Sequence, residues 1–338
     1  MTASCTDARP QGTLLLSRAD VTAHLDLDAC IEAVEEAFRL HAEGRTLAPG
    51  VLGVPADEGG FHIKAAGLRL SRTWFAAKCN GNFPRNEARF GMPSIQGLIL
   101  LCDGENGYPL AVIDSIAITH LRTAAATAVA ARRLARADSK VVTIAGCGHQ
   151  GRAQVRALSR VLRLEQVFAF DIDADRARRF AREAAEESGL DVRATVDLPA
   201  AVAKSDVCVT CTPSRRAFLT TDHLPAGMFL AAVGADDRDK QELDPRILAE
   251  NRVVVDVLEQ CAEIGELHHA LAAGLMTTGG VHADLADLVA GRKPGRRLAE
   301  EIFVFDSTGT ALQDVAAAVA LYQRAVEAGA GRRIDLLG

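Results

Sequence analysis

Six residues, Gly146-Cys147-Gly148-His149-Gln150-Gly151, follow directly on the apolar, β-branched run Lys140-Val-Val-Thr-Ile-Ala145 and precede a helix-patterned stretch at 152–162. Strand, glycine turn and helix in that order form a phosphate cradle. Gly146 permits the tight turn, Gly148 lets the backbone approach a pyrophosphate, and Gly151 lets the helix pack on the strand. His149 and Gln150 open the helix, whose first N–H groups have no partner within it and are free for an anion. About twenty residues beyond the last glycine, where the next strand Gln166-Val-Phe-Ala-Phe170 ends, stands Asp171. A carboxylate there accepts from a ribose diol and repels a 2′-phosphate, and Asp173 adds to the repulsion. The expected cofactor is NAD, with NADH preferred over NADPH. Arg176 and Arg178 leave a route for phosphate binding open.

The elements around this turn alternate. After 166–170 comes an Ala/Arg/Glu-rich helix at 174–188, and further short apolar strands are expected at 207–210, 228–233 and 253–257. Such alternation specifies a parallel, doubly wound sheet. The first part differs: an amphipathic helix at 27–43 precedes strand-like runs at 61–63, 74–78, 97–102 and 110–114, separated by Gly, Asn and Pro, which predicts a mainly antiparallel sheet. The stretch 42–60 is the longest loop candidate. An alanine-rich helix at 123–135 leads into the glycine turn, and a last helix at 311–327 returns to the first domain. The fold class is α/β: a Rossmann-type doubly wound sheet inserted in a discontinuous α+β substrate-binding and dimerisation domain. That domain is expected at 1–122 and 310–338, with the NAD-binding domain at 123–309.

Composition narrows the partners. The 338 residues are 49% hydrophobic and 24% charged, with a net charge of −6 and aromatics at 4%. The mix gives a globular core, and the low aromatic content and negative charge disfavour nucleic acid. No run reaches the roughly 20 apolar residues that span a bilayer, and the first twelve residues read as a short tail without an apolar signal core, so a cytoplasmic protein is expected. Eight cysteines scattered through apolar stretches suit reduced thiols. Cys208 and Cys211 form a CxxC inside a strand-like run and read as buried small hydrophobes, and no cluster has metal spacing.

Several further motifs carry a resemblance. Leu121-Arg122-Thr123-Ala-Ala125, Cys211-Thr212-Pro213-Ser214, Gly234-Ala-Asp236 with Lys240-Gln-Glu-Leu243, Val255-Asp256 with Gly265-Glu-Leu267, and Phe305-Asp-Ser307-Thr-Gly309 accompany the glycine turn. Together they resemble the ornithine cyclodeaminase/μ-crystallin family, over about residues 12–330. The resemblance implies a homodimer, an active site in the cleft between domains, and a small 2-imino or 2-oxo acid or an amino acid as substrate. It assigns Lys78 and Arg122 to the substrate α-carboxylate, Ser94 to the place of a threonine there, and Asp236 to acid/base work, with Lys78 counted among the catalytic residues too. It also places Thr123, Thr212, Pro213, Val233, Gly234 and Ser307 at the cofactor. The chemistry fits, because Arg offers a planar donor fork for a carboxylate and Lys a point charge.

Departures from the family pattern bear on the substrate. Cyclodeaminases carry a glutamate where this chain has His62, and Lys64 lies two residues on, on the same face of a strand. A diamine's terminal ammonium would meet like charge there, at about 4 kcal/mol for roughly 4 Å and an effective dielectric constant of about 20. A second carboxylate or an uncharged polar group fits better. The family's arginine after a proline is replaced by Gly50, so Lys64 is open to serving the α-carboxylate instead. Asn80 or Asn82 is expected to touch substrate. The leading expectation is an NADH-dependent reductase making an amino acid; the alternatives are an ornithine or lysine cyclodeaminase using NAD catalytically, and a non-catalytic nucleotide-binding protein of the μ-crystallin kind.

Overall fold

The computed structural model describes residues 12–336; the expected N-terminal tail, except Gly12, and Cys5 lie outside the described residues. Contacts divide the chain into two units. The first comprises the described residues of Met1–Asp26, Arg45–Thr119 and Asp314–Gly338, and the second Leu27–Gly44 and His120–Gln313. The expected ranges put residues 27–44 in the first domain. Their helix, Leu27–Ala42, instead buries Cys30, Ile31, Val34 and Phe38 and packs on Leu285–Val289 of the second unit. The division falls inside two helices, Ser115–Leu134 and Ala311–Glu327.

The first unit is built on a seven-stranded sheet in the order Arg332–Ile334, Thr13–Leu16, Pro109–Asp114, Ile95–Asp103, Thr73–Asn82, Gly59–Arg69, Thr46–Ala56. All pairings are antiparallel except Thr13–Leu16 with Pro109–Asp114, which is parallel. The expected loop at 42–60 is therefore corrected: most of it is the edge strand Thr46–Ala56. Pro49, Gly50, Gly53 and Pro55 hide its period, and an edge strand tolerates them because only one side must pair. The register shifts between Leu47 and Gly50, beside the first proline.

The second unit holds an eight-stranded, all-parallel sheet ordered Ala283–Asp284, Arg252–Val255, Phe303–Asp306, Phe229–Ala232, Val207–Thr210, Val141–Ala145, Gln166–Phe170, Asp191–Thr195. Its central strands are buried along their whole length, as strands covered on both faces must be. The helix expected at 174–188 is found at Ala174–Ser188, begun by the Asp173 side chain accepting from the Asp175 and Arg176 N–H groups. The alanine-rich helix begins at Ser115 rather than 123. Among the described residues no helix is long and apolar enough to cross a membrane.

Candidate active site

In the second unit the turn after Val141–Ala145 has the geometry its glycines promise. Gly146 has φ +112°, and a Cβ there would lie 2.7 Å from the Cys211 carbonyl oxygen. A Cβ at Gly151 would come within 2.2 Å of the Gly146 carbonyl oxygen, so helix and strand are in backbone contact. Gly148 starts the helix His149–Leu158 with no side-chain cap, and nothing stands within 4 Å of where its Cβ would be. Open space thus faces uncapped N–H groups. Nε2 of Gln150 is buried with no hydrogen-bond partner among the described residues, and the His149 ring stacks on His120 at 5.5 Å.

Asp171 does two jobs. Its Oδ2 accepts from the Cys147 N–H at 2.9 Å, pinning the glycine turn to the neighbouring strand, and its Oδ1 accepts from the Asp173 N–H at 3.0 Å. Each oxygen keeps a further lone pair for a diol. Arg176 approaches only to 4.0 Å. Burial, with Asp171 adding to it, pushes the Cys147 thiol up to about 12. Burial likewise raises the Cys208 and Cys211 thiols, and Cys211 donates to the Ala145 and Gly146 carbonyls. The CxxC is a packing feature. Among the described residues no three His, Cys, Asp or Glu side chains gather to hold a metal.

The loops at the carboxyl ends of the next strands are fixed by buried acids that stand in the family motifs but to which the sequence reading gave no role. Glu242 accepts from the Thr212 N–H and hydroxyl, both at 2.7 Å, from the Thr210 hydroxyl at 2.8 Å and from the Gly234 N–H at 2.9 Å. Glu266 accepts from the Glu242 and Leu243 N–H groups, and Asp306 from those of Glu266 and Leu267. Asp256 accepts from the Ser307 and Thr308 hydroxyls and the Gly309 N–H. Burial raises Glu242 and Glu266 and pushes Asp306 up to about 7, with Asp256 adding to the last. Four buried carboxylates thus hold Thr212, Gly234 and Ser307 in place. Pro213 follows in the same loop, Val233 donates its N–H to the Thr210 carbonyl, and Thr123 is buried in its helix. The available signal for Glu242 was its place in the motif Lys240-Gln-Glu-Leu243.

Asp236 lies two residues beyond Gly234, its side chain 53% exposed and ion-paired with Lys240. Lys240 is in turn fixed by its carbonyl, which bonds His269 Nε2 at 2.8 Å. Arg122 is buried and donates from Nη1 to Gln313 Oε1 at 2.8 Å. Gly309 makes room for it, since a Cβ there would sit 2.3 Å from that Nη1.

The first unit carries the remaining residues on one sheet face. In the register of Gly59–Arg69 with Thr73–Asn82, His62 stands opposite Asn80 and Lys64 opposite Lys78. Both lysines are buried, at 6% and 3% exposure. Lys78 Nζ contacts both oxygens of Asp314, at 2.9 and 2.8 Å. The expected pocket of reversed sign is corrected on this point: Asp314 offsets the charge of Lys78, so the cationic excess that faces a ligand is smaller than His62, Lys64 and Lys78 alone suggest. Asn80 is buried and accepts from the Ser115 hydroxyl at 2.6 Å; Asn82, on the same face, and Ser94 are half-buried. The lone acid at the start of an alanine-rich helix was the signal for Asp314. His62, Lys64, Lys78, Asn80, Asn82 and Ser94 thus fall in the first unit, and the other expected site residues in the second.

Known proteins resemble the chain over nearly its whole length. Iminosuccinate reductase of Paracoccus denitrificans is 33% identical over 324 residues, 96% of this chain and all of that protein. Among solved structures, an archaeal alanine dehydrogenase dimer with bound NAD superposes with TM-score 0.92 at 37% identity, covering 96% of this chain and 99% of that one. The Thermococcus litoralis Δ1-pyrroline-2-carboxylate reductase, in complex with NADH and L-proline, gives TM-score 0.92 at 32% identity over 95% of this chain and all of that one. The ornithine cyclodeaminase/mu-crystallin family model matches residues 11–329, and the chain belongs to that family.

Proposed function

We propose that this protein is an NADH-dependent reductase of the amino acid dehydrogenase type, converting a small 2-imino acid, or a 2-oxo acid plus an amine, to an amino acid. The observation that carries the reading is the buried Lys64, on the same strand face as His62, which stands where a cyclodeaminase carries the glutamate for its diamine. The NAD-bound and NADH-bound relatives support the cofactor, as do the open, uncapped helix start at Gly148 and the Asp171 carboxylate. NADH supplies a hydride to the substrate α-carbon. Lys78 and Arg122 hold the α-carboxylate and so turn that carbon toward the cofactor, Arg122 by its fork and Lys78 as an ammonium positioned by Asp314. Asp236 exchanges the proton at the substrate nitrogen. Lys64, with His62 beside it, sets the side-chain preference, and we read it as taking a second carboxylate.

The protein is proposed to act as a homodimer in the cytoplasm, where its described cysteines are the free thiols found. The sheet face opposite Lys64 and Lys78 bears Leu52, Val54, Phe61, Leu98 and Leu100, all exposed, an apolar patch that a second copy would cover. The deciding assay is NADH oxidation with pyruvate, glyoxylate, oxaloacetate or 2-oxoglutarate plus ammonia or methylamine, and with cyclic imines, with the product weighed by mass spectrometry. Oxaloacetate is expected to be preferred, and Lys64→Met to lower its kcat/KM at least tenfold more than that for pyruvate. Activity confined to monocarboxylates or cyclic imines would mean that Lys64 serves the α-carboxylate. Folded protein inactive on the whole panel, or ammonia release from ornithine without NADH accumulation, would overturn the reductase reading.

A further inference from the structure

The loop Thr212–Ser214 and the loop that begins at Gly234 and carries Asp236 leave adjacent parallel strands and approach closely, a Cβ at Gly234 lying 2.4 Å from the Thr212 carbonyl oxygen, and beyond them Arg215–Leu219 pairs in parallel with Gln241–Leu243. Between the two ladders one side chain bonds to both loops. Glu242 is fully buried: Oε1 takes the N–H and hydroxyl of Thr212, and Oε2 takes the Gly234 N–H together with the hydroxyl of Thr210, the last residue of the strand that leads into the first loop. The contact leaves no slack on the second loop, where a Cβ at Gly234 would lie 2.5 Å from the Glu242 carboxyl carbon and Oε2. Glu242 is itself held from behind, through its N–H, by Glu266, and Glu266 through its own N–H by Asp306. The Asp256 N–H then bonds the Asp306 carbonyl at 3.1 Å, and the Asp256 side chain holds Ser307 to Gly309. A run of acids joined through backbone donors therefore connects three strand-end loops.

We propose that Glu242 is a positioning residue that sets the spacing between the Thr212 loop and the Asp236 loop, and so couples NADH binding to placement of the proton-exchanging acid. This rests on the assignment of the two loops to cofactor and acid/base work made above. A carboxylate suits the role because it accepts from all four donors. Glutamine would keep one oxygen and turn an NH2 toward the other pair. The hydroxyls can rotate to accept from it, but the Thr212 and Gly234 N–H groups cannot.

The test is Glu242→Gln, with NADH affinity measured by fluorescence titration apart from turnover. The dissociation constant is expected to rise about tenfold and kcat at saturating NADH to fall at least tenfold, while Glu242→Asp, too short to reach both loops, fails to rescue. Should the glutamine variant not fold, Thr210→Val removes one donor on Oε2 alone, and its kcat should fall several-fold with NADH affinity nearly unchanged. Wild-type affinity and kcat in the glutamine variant, or rescue by aspartate, would overturn the proposal. So would unchanged kcat in Thr210→Val. Wild-type protein that fails to bind NADH would instead sink the functional reading on which the proposal stands.

Discussion

Removal of one partner from the buried Lys78–Asp314 pair tests the first-unit site without reference to substrate. With Nζ 2.8 Å from Oδ2, the direct attraction is about 6 kcal/mol at an effective dielectric constant of about 20. Part of that is offset by the cost of dehydrating both groups. Lys78→Met leaves the Asp314 carboxylate buried against a thioether, a kind of change that costs about 3–5 kcal/mol. Lys64 stands directly across the strand pair, so losing Lys78 also relieves a like-charge contact, which places the expected loss at the low end, about 3 kcal/mol. That is a fall of roughly a hundredfold in the folding equilibrium constant, read as a lower urea midpoint at unchanged slope. The double variant Lys78→Met/Asp314→Leu replaces the ion pair by apolar volume and should regain most of the stability while remaining inactive, because the carboxylate ligand is gone. A single variant as stable as wild type would refute the geometry of the pair. A double variant that recovers turnover would refute the role of Lys78.

Two further outcomes follow from the two units. Asp171→Ala removes both the diol acceptor and the anchor of the Cys147 N–H, so NADH affinity should fall about 10- to 100-fold while NADPH loses less, as checked by parallel fluorescence titrations. Equal losses for both cofactors would show that the carboxylate only supports the turn. Leu98→Asp places a charge on the exposed apolar sheet face and should convert a dimer to a monomer in light scattering coupled to gel filtration. A dimer persisting through Leu98→Asp combined with Leu52→Asp would place the interface elsewhere.

The second unit was the more legible in sequence because its signals are local. Val207–Thr210, Gln166–Phe170 and Ala174–Ser188 are read from contiguous apolar runs and a cap, and the glycine turn is dictated by positions where a Cβ would collide with backbone. Thr46–Ala56 was opaque because an edge strand may keep prolines that a central strand could not, so its sequence looks like loop. The short strands Thr13–Leu16 and Arg332–Ile334 pair residues from opposite ends of the chain and have no nearby signal. At the site, Lys64 and Lys78 were visible as residue types. Asp314 showed only as a lone acid at the start of a helix, because its significance lies in a partner 236 positions away. The role of Glu242 was hidden for a similar reason: its four donors come from Thr210, Thr212 and Gly234, on two segments distant in sequence from each other.

Gly97 stands opposite Asn80 in the pairing of Ile95–Asp103 with Thr73–Asn82, and a Cβ at Gly97 would lie 2.1 Å from Asn80 Oδ1 and 2.3 Å from the Cys79 carbonyl oxygen. The apolar pattern is a weak guide to alignment here, because Ile95–Asp103 is apolar on both faces, with Leu98 and Leu100 on one and Ile99 and Leu101 on the other. It does nothing against a slip of two, which keeps the faces and exchanges one apolar neighbour for the next. That slip would bring Ile95 or Ile99 opposite Asn80, and neither has room. The missing side chain at Gly97 therefore acts during folding as a register mark, admitting the one alignment in which Lys78 and Asn80 reach their places together.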